Sequence, residues 1–378
     1  MKIRDIKARK IVNSRGVWAI ELDVNLDGTW FTASVPSGKS RGKHEAVQYT
    51  AEESLKRFPD FKKKLVGSEF EDQTALDEFL MKISGVKKKK YGVDLVLATS
   101  SAFFKSHLVS PGEIPTPMFN VINGGLHAGS GLAVQEFMIV PEKPESFSGK
   151  LEVALQIYSE LRDILEKKFG KPSTNVGDEG GFAPPIKTTV EALTILEEAA
   201  GSAGLSKVSL ALDCAANSYF KKGKYHIDGR DMNKWEYIDH MSRISKSFHL
   251  FSVEDPLIED DFEGFSKFLE KSKTTVVGDD LTVTDIERVK KAHKKESINA
   301  VLVKPNQVGT ITETLNVIDF CKKQNWKWII SHRSGETEDT LISDLSVATE
   351  SPLIKAGAPC RGERTAKYNQ LLRLEGEL

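Results

Sequence analysis

LFSVEDPLIEDDFEGFSKFLEKSKTTVVGD, residues 250–279, contains two short apolar runs that each end on a carboxylate. The first run, residues 250–253, ends on Glu254, and the second, residues 275–278, ends on Asp279. The interval of 25 residues between the two carboxylates is the length of one strand, one helix and two loops. The stretch is therefore typical of a strand–helix repeat in a parallel sheet, where all strands end at one edge.

The same pattern recurs through much of the chain. Further apolar runs end on Asp213, Lys304, His332 and Lys355, and the six polar residues follow one another at intervals of 41, 25, 25, 28 and 23 residues. One such residue carries little weight, because every strand must end in something polar. Three carboxylates and two lysines in one register have no evident packing purpose. Residues 119–378 match the length of about 250 residues that is typical of a (β/α) barrel, and we predict these side chains at its mouth.

The first part of the chain has a different pattern. Apolar and polar residues alternate over residues 5–35, and the Asp-Gly pair at 27–28 is a hairpin signal, so we predict an antiparallel meander. Residues 44–108 have helical spacing with weak breaks at Pro59 and Gly67. Strands followed by helices indicate an α+β domain.

Proline and glycine residues between 111 and 117 mark the boundary between the two patterns. We therefore predict an α/β protein with a smaller N-terminal α+β domain, residues 1–115, and a barrel domain, residues 116–378.

Composition excludes several classes of partner. The chain has 378 residues, with 53 Lys and Arg against 54 Asp and Glu, so its net charge of −1 favours neither nucleic acid nor a membrane surface. No segment approaches the roughly 18–20 apolar residues that span a bilayer. Three cysteines without CxxC spacing argue against disulfides and zinc, so we expect a cytoplasmic protein.

The predicted mouth has the composition of a metal-assisted acid–base site. Asp213, Glu254 and Asp279 would supply oxygen ligands for a hard cation such as Mg²⁺. Lys304 and Lys355 would face these carboxylates, and a lysine held near a cation and a second lysine is expected to have a lowered pKa, as a general base needs.

Two further segments bring polar groups that could contact a ligand. The glycine-rich loop 177–181 carries Glu179, and loop 124–129 could be its partner, although neither fits a nucleotide-binding motif. Residues 331–337 combine an arginine with hydroxyl groups, which suits a phosphate or carboxylate. Taken alone, that segment could equally be a solvated turn.

Read together, these motifs resemble the enolase family over nearly the whole chain. The resemblance is carried by ARKIVNSRG at 8–16, SGKS at 37–40, NVGDEGGFAP at 175–184, KPNQVGT at 304–310 and SHRSGET at 331–337. It implies an enolase-type (β/α)8 barrel and the reversible, Mg²⁺-dependent dehydration of 2-phospho-D-glycerate to phosphoenolpyruvate and water, a step of glycolysis and gluconeogenesis. Sites of that superfamily use a lysine or histidine base with one or two Mg²⁺ ions.

The resemblance also implies a role for each matching residue. Those roles are Glu179 as the acid, Lys304 as the base, Asp213, Glu254 and Asp279 as ligands of the first Mg²⁺, Ser40 as a ligand of a second Mg²⁺ that arrives with substrate, Lys355 on the substrate carboxylate, Arg333 and Ser334 on its phosphate, His127 and His332 lining the pocket, and Gln135 and Glu136 beside the acid.

The chain departs from the family pattern chiefly in the N-terminal domain. A loop and part of a helix are absent after residues 44–46, and Lys39 and Arg41 flank Ser40 where small residues are usual. The resemblance implies a homodimer or higher homo-oligomer. Two other interpretations stay open: a divergent paralogue kept as a binding or structural protein, and a superfamily member acting on a non-phosphorylated acid.

Overall fold

The computed structural model describes residues 1–38, 44–108, 112–129, 131–205 and 208–376. Its strands are β1 (Ile3–Val12), β2 (Trp18–Leu26), β3 (Thr29–Ser34), β4 (Thr116–Asn123), β5 (Glu136–Val140), β6 (Ser209–Asp213), β7 (Phe220–Lys221), β8 (Lys224–Ile227), β9 (Arg230–Met232), β10 (Ser252–Glu254), β11 (Thr275–Gly278), β12 (Ala300–Val303), β13 (Lys327–Ser331) and β14 (Leu353–Lys355). Its α-helices are α1 (Ala51–Leu65), α2 (Gln73–Ser84), α3 (Val93–Lys105), α4 (Phe147–Phe169), α5 (Thr189–Ser202), α6 (Lys234–Ser247), α7 (Phe262–Ser272), α8 (Ile286–Lys294), α9 (Pro305–Val308), α10 (Ile311–Lys323), α11 (Leu341–Ala348) and α12 (Gly362–Glu375).

The N-terminal sheet is the predicted antiparallel meander, with strand order β1-β2-β3. Asp27 and Gly28 make the turn between β2 and β3, with φ angles of 51° and 107°. An Asp-Gly pair adopts positive φ at low cost, so this hairpin prediction is confirmed. Helices α1, α2 and α3 complete the α+β unit, with α1 and α3 packed against the strands.

Pro59 does not break the helix that contains it, and this prediction was wrong. It lies inside α1, on the exposed side of the helix, where water can bond the carbonyl group that has lost its N–H partner. A full capping box between Thr50 and Glu53 begins the helix, and Phe61 and Leu65 are buried on its other side. These contacts outweigh the cost of the proline.

The predicted barrel is confirmed, and it is closed by eight strands in the order β10-β11-β12-β13-β14-β4-β5-β6. Its residues alternate between an inner cluster, which includes Met118, Ala211 and Leu302, and a larger outer cluster beneath the helices. The six predicted polar residues lie at or just after the carboxyl ends of their strands. The apolar-run pattern therefore located the barrel strands correctly.

One strand runs against the others. β5 is antiparallel to both neighbours, β4 and β6, whereas the remaining barrel pairs are parallel. The reason is the short connection from β4 to β5: between 124 and 135, the described residues form a single 3-10 turn and no crossover helix. As a result the amino end of β5, with Glu136, opens onto the same mouth as the carboxyl ends of the parallel strands.

The N-terminal unit has a core of its own that reaches the barrel through Ile311 and Leu341. The boundary between residues 115 and 116 falls directly before β4 and stays a prediction. No helix among the described residues is long and apolar enough to cross a bilayer.

Candidate active site

A cavity of about 440 Å³ opens at the barrel mouth and is lined almost entirely by polar side chains. Of the predicted site residues, the cavity is lined by His127, Gln135, Glu136, Glu179, Asp213, Asp279, Lys304, His332, Arg333, Ser334 and Lys355. Glu254 lies just beneath, in contact with Lys355. Ser40 lies outside the described residues. The structure thus brings together side chains that are separated by more than two hundred positions in the sequence.

Lys355 contacts three carboxyl groups at the barrel mouth. Its Nζ lies 3.0 Å from Glu136 Oε2, 3.1 Å from Asp213 Oδ2 and 2.8 Å from Glu254 Oε2, and all four side chains are buried. Burial alone would lower the pKa of Lys355, but the surrounding carboxylates raise it well above its usual range. The surrounding carboxylates therefore favour the protonated amine of Lys355.

The three predicted metal ligands come from adjacent strands. Asp213 and Glu254 are register partners at the ends of β6 and β10, and Asp279 follows β11. Glu254 Oε1 is buried without a hydrogen-bond partner among the described residues. Burial, with Asp213 and Asp279 nearby, raises the pKa of Glu254 well above its usual range. The unpartnered oxygen of Glu254 suits a hard divalent cation. The carboxyl oxygens of Asp213, Glu254 and Asp279 do not all lie within 4.8 Å of one another, however, whereas among the described residues those of Asp255, Asp279 and Asp280 do.

The other oxygens of the trio are held in place by polar neighbours. Asp279 Oδ1 accepts a hydrogen bond of 3.1 Å from Gln307 Nε2, while Asp279 Oδ2 accepts one from Lys304 Nζ. Asp213 Oδ1 accepts 3.0 Å from the backbone N–H of Ala215. Gln307 also accepts a hydrogen bond of 2.6 Å from Thr284, so a chain of side chains orients the Asp279 carboxylate.

Lys304 differs from the expectation of a lowered pKa. Burial would lower the pKa of Lys304, but the ion pair with Asp279 dominates and raises it above its ordinary value. The expected lowering depends on a cation beside the lysine. In the structure the nearest charge is instead a carboxylate, which favours the protonated amine.

Glu179 lies in a pocket of hydrogen-bond donors. Its Oε2 accepts a hydrogen bond of 2.8 Å from Asn120 Nδ2 and lies 3.2 Å from His127 Nδ1. Its Oε1 lies 3.5 Å from His332 Nε2. Burial alone would raise the pKa of Glu179, but the histidines and Arg364 hold it well below its usual range.

Glu136 behaves in the opposite way. Burial and the negative charge of Glu179 raise the pKa of Glu136 well above its usual range, with Lys355 only partly offsetting them. His127 Nδ1 lies within 3.9 Å of Glu136 Oε1 as well as near Glu179. Two buried carboxyl groups with opposite shifts are a pattern typical of acid–base catalysis, where one is ionised and its neighbour carries the proton.

The predicted phosphate-binding residues lie on a loop that forms hydrogen bonds with residues of both domains. Arg333 forms a two-point ion pair with Glu45, at 3.1 Å and 3.2 Å, and donates 2.8 Å to Asn306 Oδ1. Ser37 and Gly335 exchange two backbone hydrogen bonds of 2.9 Å. The segment that leads toward Ser40 is thus attached directly to the loop of Arg333 and Ser334.

Several residues of the site were not predicted. Asp255 accepts hydrogen bonds of 3.0 Å and 2.7 Å from the backbone N–H groups of Asp279 and Asp280, which shapes the loop after β11. The two consecutive acids at 254–255 could have signalled it. Asn120 lies inside an apolar strand, where a buried amide is itself a signal. Arg364 ends a stretch that resembles the enolase family, residues 357–364, but no role was predicted for it.

Comparison with known proteins gives a consistent result over both domains. Residues 112–378 match the family model described as enolase, C-terminal TIM barrel domain, and residues 3–111 match that of the enolase N-terminal domain. The chain is similar to the enolase of Methanocaldococcus jannaschii, with 39% identity over 406 residues that cover 100% of this chain and 96% of the relative. It is 40% identical to the enolase of Methanococcoides burtonii over 405 residues, covering 100% and 95%. It is also 40% identical to that of Elusimicrobium minutum over 409 residues, covering 100% and 96%.

Proposed function

The chain belongs to the enolase family and is a lyase with phosphopyruvate hydratase activity, and we propose that its barrel mouth converts 2-phospho-D-glycerate to phosphoenolpyruvate and water with Mg²⁺. The observation that carries the residue assignment is the placement of Lys304 and Glu179 on one cavity, beside the carboxylates around Lys355. This cavity can hold a small, highly anionic acid.

The reaction is difficult because its first step adds charge to an anion. Lys304 Nζ would take the proton from C2 of the substrate, and the substrate carboxylate would then carry the charge of an enolate. Lys355, whose protonated amine the surrounding carboxylates favour, would bind that carboxylate. Asp213, Glu254 and Asp279 would hold the first Mg²⁺, which when bound neutralises developing negative charge.

Loss of the C3 hydroxyl completes the reaction. Glu179 would donate a proton as the C3–O bond breaks, so that water leaves and the double bond of phosphoenolpyruvate forms. Its lowered pKa without substrate is the state needed in the reverse direction, where Glu179 takes the proton from the attacking water. Glu136 and Gln135 lie beside it at the amino end of β5, and His127 lies against the Glu179 carboxylate.

Lys304 must lose its proton before it can act as the base. Its ion pair with Asp279 favours the protonated amine, so engagement of the Asp279 carboxylate as a ligand would remove the main cause of that preference. Arg333 and Ser334 would bind the phosphate. The second Mg²⁺, with Ser40 as its ligand, belongs to this proposal through the family resemblance.

Cellular setting and assembly are part of the proposal as well. All three cysteines are free thiols, which supports a reducing cytoplasm. The exposed apolar side chains Val12 and Trp18 on the N-terminal sheet, with Val17 directly before β2, support a homodimer or higher homo-oligomer.

The test is a direct assay with a metal titration. Purified protein with 2-phosphoglycerate and Mg²⁺ should form the conjugated enol product, followed by its ultraviolet absorbance, whereas glycerate without the phosphate should give none. Binding of 2-phosphoglycerate without turnover would favour a divergent binding protein. Turnover of glycerate would favour a superfamily member with another substrate.

A further inference from the structure

Arg364 is the largest fully buried side chain of the described structure, and it connects the two loops of the site. It lies in the first turn of α12, and its relative exposure is 0%. Nη1 donates a hydrogen bond of 2.6 Å to His332 Nδ1 and one of 2.7 Å to the carbonyl oxygen of Arg333. Nη2 donates 2.8 Å to the carbonyl oxygen of Ser334 and 3.0 Å to that of Asp178. Each of the four Nη–H groups therefore donates a hydrogen bond.

These contacts dictate where His332 carries its proton. A guanidinium group has donors only, so a ring nitrogen bonded to it must be an acceptor. His332 Nδ1 is then unprotonated, and in the neutral ring the hydrogen lies on Nε2. Nε2 has no hydrogen-bond partner among the described residues, and it lies 3.5 Å from Glu179 Oε1. His332 also lines the cavity.

We infer that Arg364 is a positioning residue that fixes His332 as the Nε2–H tautomer and aims this N–H at Glu179 and the substrate pocket. The inference rests on the proposed function for its catalytic consequence only. Arg364 touches no reacting atom. It acts through His332 and through Asp178, which immediately precedes Glu179.

A purely structural role accounts for the three bonds to carbonyl oxygens but not for the bond to His332. Lys367, one turn later on α12, already ties the same loop down through Glu336, at 2.8 Å, and through the carbonyl oxygen of Thr337. A second buried cation is costly unless its donors do something that an apolar side chain could not. The donor that meets this condition is the Nη1–H on His332, since it selects one of two ring tautomers.

The charge environment agrees with a neutral ring. Burial lowers the pKa of His332 well below its usual range, and although Glu179 opposes this, the positive charge of Arg364 adds to the lowering. His332 therefore keeps one ring proton at neutral pH, and its position is a matter of hydrogen bonding.

The test uses nitrogen NMR of protein labelled with 15N histidine, with the His332 ring assigned by its absence in His332→Gln. In the wild type we expect a single tautomer with Nε2 protonated and Nδ1 bare. Arg364→Met should give a mixture of tautomers or move the Nδ1 shift, and lower kcat about 10- to 100-fold. Arg364→Lys, which keeps one cationic donor, should retain the Nε2–H tautomer and recover part of kcat.

Arg361→Lys is the matched control. Arg361 precedes the same helix and donates 2.8 Å to the carbonyl oxygen of Ser14, without touching His332. It should leave the His332 spectrum unchanged. An Nδ1–H ring in the wild type would overturn the inference, and so would an unchanged ring in Arg364→Met. If Arg364→Met fails to fold, the wild-type tautomer decides. Absence of turnover in the wild type would defeat the proposed function and leave the tautomer result standing.

Discussion

Glu136 Oε2 lies 3.0 Å from Lys355 Nζ at the barrel mouth, although Glu136 is the first residue of its strand and Lys355 is the last residue of its own. The contact exists because β5 runs antiparallel to the rest of the barrel. Reversing that strand brings its amino end to the catalytic edge. Gln135 and Glu136 thereby lie close to Lys355.

Lys304→Ala should remove turnover while leaving the fold intact. The amine is the only group assigned to take the C2 proton, so we expect kcat to fall about 10²- to 10⁴-fold. Product absorbance measures the loss, and circular dichroism checks the fold. Lys88→Ala is the control, because Lys88 is also a buried lysine in an ion pair, with Glu313 at 2.8 Å, but lies outside the site. It should lower Tm and leave kcat unchanged. Undiminished activity of Lys304→Ala would refute the assigned role.

Glu179→Gln should lower kcat by a similar factor in both directions. The amide keeps the shape and accepts the Asn120 hydrogen bond, but it can neither give nor take the proton of the leaving water. Rates measured from 2-phosphoglycerate and from phosphoenolpyruvate should fall together. Glu313→Gln serves as the matched substitution away from the cavity and should keep its kcat. A loss confined to one direction would contradict the acid–base assignment.

Chelation should stop activity reversibly. Excess chelator is expected to abolish turnover, and added Mg²⁺ should restore it, since three carboxylates alone cannot neutralise an enolate. A readout without substrate is the melting temperature, which Mg²⁺ should raise by mass action in the wild type. Glu254→Gln, which removes the charge beneath the mouth, should lose most of that rise. Activity that persists in excess chelator would take the metal out of the mechanism.

Asp77→Asn should stabilise the protein more at neutral than at acid pH. Burial raises the pKa of Asp77 above its ordinary value of 3.8, and hydrogen bonds from Ser100, Thr312 and Gln73 offset this only in part. The folded state therefore binds the proton more tightly than the unfolded chain. The destabilisation is absent below the unfolded pKa, grows as pH rises toward the folded pKa and is complete above it.

Urea unfolding at about pH 4 and pH 7 measures this difference. The gain in unfolding free energy of Asp77→Asn over the wild type should be larger at pH 7. Asp72→Asn, at the exposed N-cap of the same helix, should change stability little at either pH, because asparagine caps as well as aspartate. A pH-independent difference for Asp77→Asn would contradict the raised pKa.

Gly335→Ala should weaken substrate binding. A Cβ at Gly335 would lie 2.7 Å from the carbonyl oxygen of Ser37, so the backbone bridge between the two domains must open. Displacing the loop of Arg333 and Ser334 should lower kcat/KM roughly 10- to 100-fold, mostly through KM. Gly201→Ala is the control, since nothing lies within 4 Å of its added Cβ in α5. It should raise stability by about 0.4–1 kcal/mol and leave kcat/KM unchanged.

Much of the barrel could be predicted from the sequence because its signal is local. An apolar run followed by a polar residue is visible within a few positions, and its spacing repeats. Asp213, Glu254, Lys304 and Lys355 were found in this way. The roles proposed for them, and for Glu179, came from the resemblance to the enolase family and stay predictions.

Contacts between distant elements had no such signal. The ion pair of Arg333 with Glu45 joins residues that are 288 positions apart. The hydrogen bond from Arg364 to His332 joins residues that are 32 positions apart, and no catalytic role was predicted for the helix of Arg364. The direction of β5 could not be predicted either, because an apolar run gives the same pattern whether its strand is parallel or antiparallel to its neighbours.

Hydrophobic period and turn residues act within one segment, so the parallel barrel strands and the first hairpin could be predicted without the fold. The partners of each site residue, and the direction in which its pKa is shifted, depend on the folded arrangement. Burial and neighbouring charge set the pKa values of Lys304, Glu136 and Glu179, and both depend on side chains that the fold brings from other segments.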